Sequence, residues 1–295
     1  MSTSAVSAAV LRLEQKLAAR LLNRTTRRVS PTPEGVEFYQ RCKQIIADLE
    51  QAEISVSRSG GVPSGRLRIG MPSALGRMWV IPMLTEFVRA YPSIALEFVI
   101  GDLITGSGEG LDASIQVGEL PSSRATVRKL TSVDYVVCAA PQYLAARGVP
   151  AKPGDLANHD CLSYRRPRNG RIRQWRFASG RSIEPHDVSG FMTFNSGEAL
   201  AAAAAAGLGV AQIAEYYAQP GIQSGTLVEI LVNHKARAHD ISIVFQRQKR
   251  MAPRLRVFID FLVDLFASPP WDAAQRKAGG EHQKRYRSLP AITKA

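Results

Sequence analysis

Two short stretches carry residue types that can hold a small anion. Ser73 and Ala74 follow the alternating run RLRIGM (66–71), and Asn195-Ser196 ends VSGFMTFNS (188–196) and opens an alanine-rich run. At each point a strand pattern gives way to a helix start. The first N–H groups of a helix have no partner within it, and the helix dipole is positive there. The side chains of Ser73, Asn195 and Ser196 add further donors and acceptors. The same residues serve equally well as N-caps with no ligand at all. Phosphate chemistry is suggested elsewhere. LLNRTTRRVSPTPEG (21–35) gathers Arg24, Thr25, Arg27 and Arg28 next to a helix start, and guanidinium groups bind phosphate by charge without reading bases.

Catalytic chemistry lacks its constellations. Asp112 and Glu119 are separated carboxylates with no evident partner. No Ser/His/Asp order with a nucleophile elbow is present. The run GSGEG (106–110) lacks the trailing GK[ST] of a P-loop, and no strand and helix flank it as a dinucleotide fingerprint requires. Cys42, Cys138 and Cys161 lie far apart and the five histidines are scattered, so neither a metal site nor a cofactor is expected. His159 and His186 read as loop or surface residues. An enzyme is not expected.

Charge is unevenly spread. The 295-residue chain has net charge +13; residues 1–30 carry +5, residues 276–295 another +5, and the other 245 residues only +3. A nearly neutral body with two basic ends fits a polyanionic partner, nucleic acid before membrane. At the C-terminal end, a solvated extension explains the charge as well. No apolar run is long enough to span a membrane, and no basic-then-apolar leader opens the chain, so a cytoplasmic protein is expected.

Several elements must position these residues. Val6, Val10, Leu13 and Leu17 recur at helical spacing, with Ser4, Ser7 and Arg12 off that stripe. Thr32-Pro33-Glu34 combines a cap, a proline in the first turn and an acid, and predicts a helix from about residue 33 to 56. Its apolar positions Phe38, Cys42, Ile45, Leu49, Ala52 and Val56 form a heptad seam, which wants a partner helix. SRSGGVPSG (57–65) then marks a boundary. Strands are predicted at 66–71, 94–100, 112–118, 134–140, 207–213 and 241–246. Helices are predicted over 79–91, 196–206 and 251–266. Alternating strands and helices imply largely parallel sheets with ligand sites at the carboxyl ends of the strands.

These segments carry a family resemblance. SAVSAAVLRLEQKLAARLLNRTTRRVSPTPEG resembles the second half of a LysR-type winged helix-turn-helix. GRLRIGMPSALGR, DASIQVGELPSS, CAAPQYLA, LANHDCLSYR and NSGEALAAAAAAGLGVAQI resemble the effector-binding half of that family. The resemblance covers about residues 2–270. It implies a recognition helix presenting Ser4, Ser7 and Arg12 to double-stranded DNA, and a basic wing with Arg24, Thr25, Arg27 and Arg28. It also implies a dimerising linker helix and a periplasmic-binding-protein-like effector domain. It turns Ser73, Ala74, Asn195 and Ser196 toward effector binding and adds Tyr164 as a candidate wall. Three departures stand out. Family members carry further helices ahead of Thr3, Ala8 replaces a longer polar side chain, and the glycines of ITGSGEG (104–110) weaken a short helix usual there.

The expected architecture is α/β. It comprises a partial winged helix-turn-helix (1–32), a dimerisation helix (33–58), a hinge (59–65), one effector subdomain built from 66–138 with 241–268, a second from 139–240, and a basic disordered tail (269–295). The expected function is a homodimeric or homotetrameric DNA-binding transcriptional regulator answering to a small anionic effector. Two alternatives stay open: a truncated regulator that dimerises but binds DNA poorly, and a stand-alone small-molecule binding protein.

Overall fold

The computed structural model describes residues 3–24, 29–42, 45, 62–102, 110–120, 125–167, 169–180, 182–188, 190–246 and 251–272. The chain forms two compact units, Met1–Gly61 and Val62–Ala295.

In the first unit, α1 (Thr3–Leu17) is followed by a two-stranded antiparallel ribbon, β1 (Leu22–Arg24) and β2 (Val29–Pro31). Helix α2 occupies residues 33–42. Side chains close the unit by satisfying backbone groups. The Glu14 carboxylate accepts from the N–H groups of Leu21 and Leu22, at 2.7 and 2.9 Å. Thr32 caps α2 as its sequence predicts: its hydroxyl accepts from Gly35 N–H at 2.9 Å and donates to the Arg20 carbonyl at 2.7 Å. The predicted stripe of α1 is only partly covered, with Val10 and Leu13 half-buried but Val6 and Leu17 47% and 40% exposed.

The second unit starts with β3 (Gly65–Met71). A helical path follows through α3 (Ser73–Leu75), a π turn (Gly76–Val80), a 3-10 turn (Ile81–Met83) and α4 (Leu84–Ala90), so helix begins earlier than the predicted residue 79. Next come β4 (Ile94–Ile100), β5 (Ala113–Val117), the 14-residue β6 (Thr126–Ala139) and α5 (Pro141–Arg147). β7 (Cys161–Tyr164) precedes an antiparallel hairpin, β8 (Trp175–Ser179) and β9 (Ser182–His186). β10 (Met192–Phe194), α6 (Gly197–Ala205), β11 (Val210–Ala214), α7 (Glu215–Ser224) and β12 (Val228–Ile230) lead to β13 (Ala236–Phe245) and the closing α8 (Pro253–Ala267).

The main sheet runs β10-β7-β11-β6-β13-β5-β3-β4, with β12 also on β6. It is not largely parallel, as the alternation of elements implied. Two parallel triads, β4-β3-β5 and β10-β7-β11, are joined by β6 and β13, which pair antiparallel with each other and with their neighbours. The β6–β13 register shifts twice, between Arg237 and His239 and between Ile241 and Ser242. Such bulges bend a strand and raise its twist.

Both faces of the second triad are buried. Val137, Ala139, Trp175, Phe177 and Val210 pack on one side, and Val136, Cys138, Leu162, Leu200 and Ile213 on the other. That is why YVVCAA reads as a continuous apolar run rather than an alternating one. At the other triad, Phe87 of α4 meets Phe258 and Phe261 of α8, each at a centroid distance of 5.3 Å.

Gly35 is a sharp test of the first unit. A Cβ there would lie 2.0 Å from the Leu21 carbonyl oxygen, against backbone that cannot swing aside. Gly35→Ala should therefore cost about 1–3 kcal/mol. A thermal melt of the full chain should show an earlier transition for the first unit and an unchanged one for the second; an unaltered melt would refute this packing.

Candidate functional site

The two parallel triads direct the carboxyl ends of their strands toward one cleft of about 680 Å³. Such ends are where open α/β sheets bind ligands. Pro72 follows β3, Gly101 and Asp102 follow β4, and Gln116–Glu119 end β5 and leave it. Tyr164 ends β7, Asn195 and Ser196 follow β10, and Tyr216 and Tyr217 begin α7 after β11. Tyr135 of β6 and Arg237–Asp240 of β13 supply the crossing strands' share, including the first bulge. Tyr217 reaches its place because Gly197 has no side chain: a Cβ there would lie 2.4 Å from the tyrosine ring.

Side chains tie the cleft walls together. The Trp79 indole N–H donates to the Tyr216 carbonyl at 3.0 Å, and that of Trp271 to the Glu215 carboxylate at 3.1 Å. The Trp271 ring also packs on Trp79 and Tyr216, at 5.9 and 5.6 Å. Burial raises the Glu215 pKa, against the hydrogen bond from Trp271 that lowers it. Arg77 pairs with Glu198 at the start of α6.

The sequence-predicted cleft residues divide. Asn195, Ser196 and Tyr164 line the cleft. The Ser196 hydroxyl accepts from Ala199 N–H at 3.4 Å, so it also caps α6. Ser73 and Ala74 do not line it; Pro72 does. Nor is the Ser73 N–H free, as expected of a helix start: it donates to the Asp102 carboxylate at 2.9 Å. A carboxylate of the protein itself thus occupies the position foreseen for a ligand. Asp112, a separated acid in the sequence, accepts from the Arg68 N–H at 2.7 Å.

Sequence reading missed Arg173, Tyr135, Tyr216, Tyr217 and His239. The guanidinium of Arg173 lies 4.3 Å from the Tyr135 ring centroid and 5.3 Å from that of Tyr164, and donates to the Gln212 carbonyl. Cation–π contacts of this kind hold a charge in place while it is partly desolvated. Position relative to strand ends could have found Tyr216 and Tyr217, which follow directly on a predicted strand. Nothing local marks Arg173 among the arginines of RRPRNGRIRQWR.

The cleft is lined by four arginines and by three carboxylates, Asp102, Glu119 and Asp240, of which Glu119 is engaged elsewhere. Asp102 is held by Ser73, and Asp240 accepts from Ser132 at 2.7 Å and pairs with Lys129 at 2.8 Å. These bonds lower the Asp240 pKa, the Lys129 bond most. Arg237 pairs with Asp134 at 3.1 Å. Arg166 and Arg176 also line the cleft and have no carboxylate partner among the described residues. These two guanidiniums are lining charges left without a partner of opposite sign among the described residues.

In the first unit, Arg12 is exposed and Ser7 half-buried on α1. The Arg12 Nε donates to the Ala8 carbonyl at 3.4 Å. The side chains of Ser4 and Arg24, and residues Thr25, Arg27 and Arg28, lie outside the described residues. Of the heptad seam, Phe38 and Cys42 are half-buried and Ile45 is 64% exposed. Leu49, Ala52 and Val56 also lie outside. Among the described residues no helix is long and apolar enough to cross a membrane.

His239 makes the second unit acid-sensitive. Burial, and then the Arg173 charge, push its pKa from 6.5 down to about 4, while Asp240 opposes the shift. The unfolded chain therefore takes up this proton first as pH falls. Stability conferred by the neutral ring is present above about pH 6.5 and is lost progressively down to about pH 4. The full loss is about 3 kcal/mol. Urea melts over that range should show a shallower decline for His239→Gln than for wild type. Parallel declines would refute the assignment.

Known proteins resemble this chain along most of its length. Residues 1–36 match the bacterial regulatory helix-turn-helix family of LysR type, and residues 60–267 match the LysR substrate binding domain. The chain is 34% identical over 290 residues to an HTH-type transcriptional regulator of Xanthomonas campestris pv. campestris, covering 94% of this chain and 83% of that one. It is 33% identical to the HTH-type transcriptional regulator CrgA of Neisseria meningitidis serogroup C, covering 90% and 88%. The solved structure of CrgA from Neisseria meningitidis superposes with TM-score 0.61 at 31% identity, over 91% of each chain. Full-length AphB of Vibrio cholerae, at 24% identity, shares the fold with TM-score 0.59 over 89% and 90%. A matching DNA-binding segment, a matching effector domain and relatives above 30% identity along most of the chain place this protein in the LysR family of transcriptional regulators.

Proposed function

We propose that the chain is a cytoplasmic homo-oligomeric regulator that binds double-stranded DNA through its first unit and holds a small anionic effector in the cleft of its second. The observation that carries the effector reading is the cleft's charge. Its three carboxylates, Asp102, Glu119 and Asp240, are engaged within the protein, while Arg166 and Arg176 have no carboxylate partner among the described residues. An anion there gains charge-assisted hydrogen bonds at the cost of desolvation that the arginines have partly met already. The anchor is Arg173, with Asn195, Ser196 and Tyr164 on the wall; Ser73 and Ala74 have no part in it. Because the cleft includes both crossing strands, an effector that favours one bend of β6 and β13 would shift the two triads against each other.

On DNA, Ser4, Ser7 and Arg12 would face the groove and Arg24, Thr25, Arg27 and Arg28 the phosphates. Each phosphate contact adds about one unit to the slope of log affinity against log salt. Arg27→Ala should lower that slope by about one unit on any duplex; an unchanged slope would remove the wing from the contact surface.

Assembly would run through the seam Phe38, Cys42, Ile45, Leu49, Ala52 and Val56, giving a homodimer or homotetramer. Leu49→Asp buries a charge in that seam, which the helices escape by separating. Sedimentation should show a smaller species for the variant. A wild-type monomer at micromolar concentration would overturn the seam.

A further inference from the structure

Two residues that line the cleft each bury a side-chain nitrogen that lacks a partner among the described residues: Nε of Arg173 and Nε2 of His239. They belong to one cluster. Tyr135 carries Arg173 over its ring and meets the His239 ring edge-on at 6.3 Å, and Tyr216 meets His239 at 6.0 Å. A buried polar group without a partner is a standing penalty that a ligand can relieve. The two nitrogens also differ in kind. Arg173 is a cation, whereas His239 has its pKa lowered to about 4 and is neutral near neutral pH. Four tyrosines, Tyr135, Tyr164, Tyr216 and Tyr217, also belong to the lining.

We propose that the effector is an aromatic carboxylate bearing one uncharged hydrogen-bonding substituent: the carboxylate on Arg173, the ring among the tyrosines, and the substituent on Nε2 of His239. The proposal rests on the reading of the cleft as an effector site and goes further by naming the ligand's chemistry. A phosphate dianion fits less well, because it would leave the tyrosine rings of the lining without an apolar partner. An amino acid fits less well too. Its ammonium would face Arg166, Arg173 and Arg176, while Asp102, Glu119 and Asp240 are already engaged within the protein. Aromatic rings pack on tyrosine faces and edges with an attraction beyond their buried area, which a saturated ring forgoes.

Calorimetric titration of the full chain tests this with five probes: phenylacetate, 3-hydroxyphenylacetate, cyclohexylacetate, phenylalanine and inorganic phosphate. Wild type should bind 3-hydroxyphenylacetate most tightly and prefer phenylacetate to its saturated analogue. Arg173→Gln should weaken both aromatic acids by about 10- to 100-fold. His239→Phe should abolish the preference for the hydroxylated acid, so that 3-hydroxyphenylacetate and phenylacetate bind alike, and His239→Gln should restore part of the preference. The histidine variants keep Arg173 in place, so they stand as the test if Arg173→Gln does not fold. A hydroxyl preference that survives His239→Phe, or cyclohexylacetate binding as tightly as phenylacetate, would overturn the proposal. Tighter, Arg173-dependent binding of phosphate or phenylalanine would sink the ligand class yet leave an anion cleft standing. If none of the five binds at millimolar concentration, the anion reading falls as well.

Discussion

The second unit depends on the antiparallel pairing of β6 with β13. β6 pairs with β11 of one triad and β13 with β5 of the other, so the ladder between β6 and β13 holds the two together. Within each triad the strands are parallel, and their carboxyl ends must share a side. The joining strands turn those two sides toward each other, and the cleft is the space between. A ladder of backbone hydrogen bonds resists stretching but bends where a bulge removes a bond. Both register shifts lie on this pair, and the first is part of the cleft.

Electrostatics in the cleft follow from the same placement. Arg173 reaches the cleft from the loop after β7, where two tyrosine faces and the Gln212 carbonyl surround its guanidinium. Its charge and the surrounding burial keep the His239 ring neutral. The cleft therefore offers a cation and an uncharged polar group side by side. The clasp of Trp79 and Trp271 on Glu215 and Tyr216 reaches the same wall, so motion of the tyrosines is tied to the packing of α8 and the segment that follows it.

The first unit is held differently. Among its described residues Leu21 is the one buried apolar side chain, and Glu14 and Thr32 satisfy backbone groups between α1 and α2. A hydrogen bond of this kind contributes about 0.5–1.5 kcal/mol, more when one partner is charged. The arrangement leaves Arg12, Lys16 and Arg20 exposed on one small unit.

Local pattern determined much of this protein. β4 was legible because its residues suit a strand by themselves, and the start of α2 because Thr32, Pro33 and Glu34 cap and begin a helix without help from elsewhere. The wall residues Tyr164, Asn195 and Ser196 were legible from their place at strand ends. What tertiary structure alone decided is everything that depends on which distant segments meet. The polar stretch TVRKLTSV gives little sign that it extends β6 by half its length; only pairing with β13, more than a hundred residues later, makes it a strand. The helix start at Ser73 looked open until Asp102 arrived from the end of β4. Arg173 is one arginine among several until Tyr135 and Tyr164 close on it, and His239 is an ordinary histidine until burial beside that charge lowers its pKa. Capping and side-chain periodicity act over a few residues and can be read along the chain, whereas desolvation and charge pairing depend on neighbours that only the folded sheet supplies.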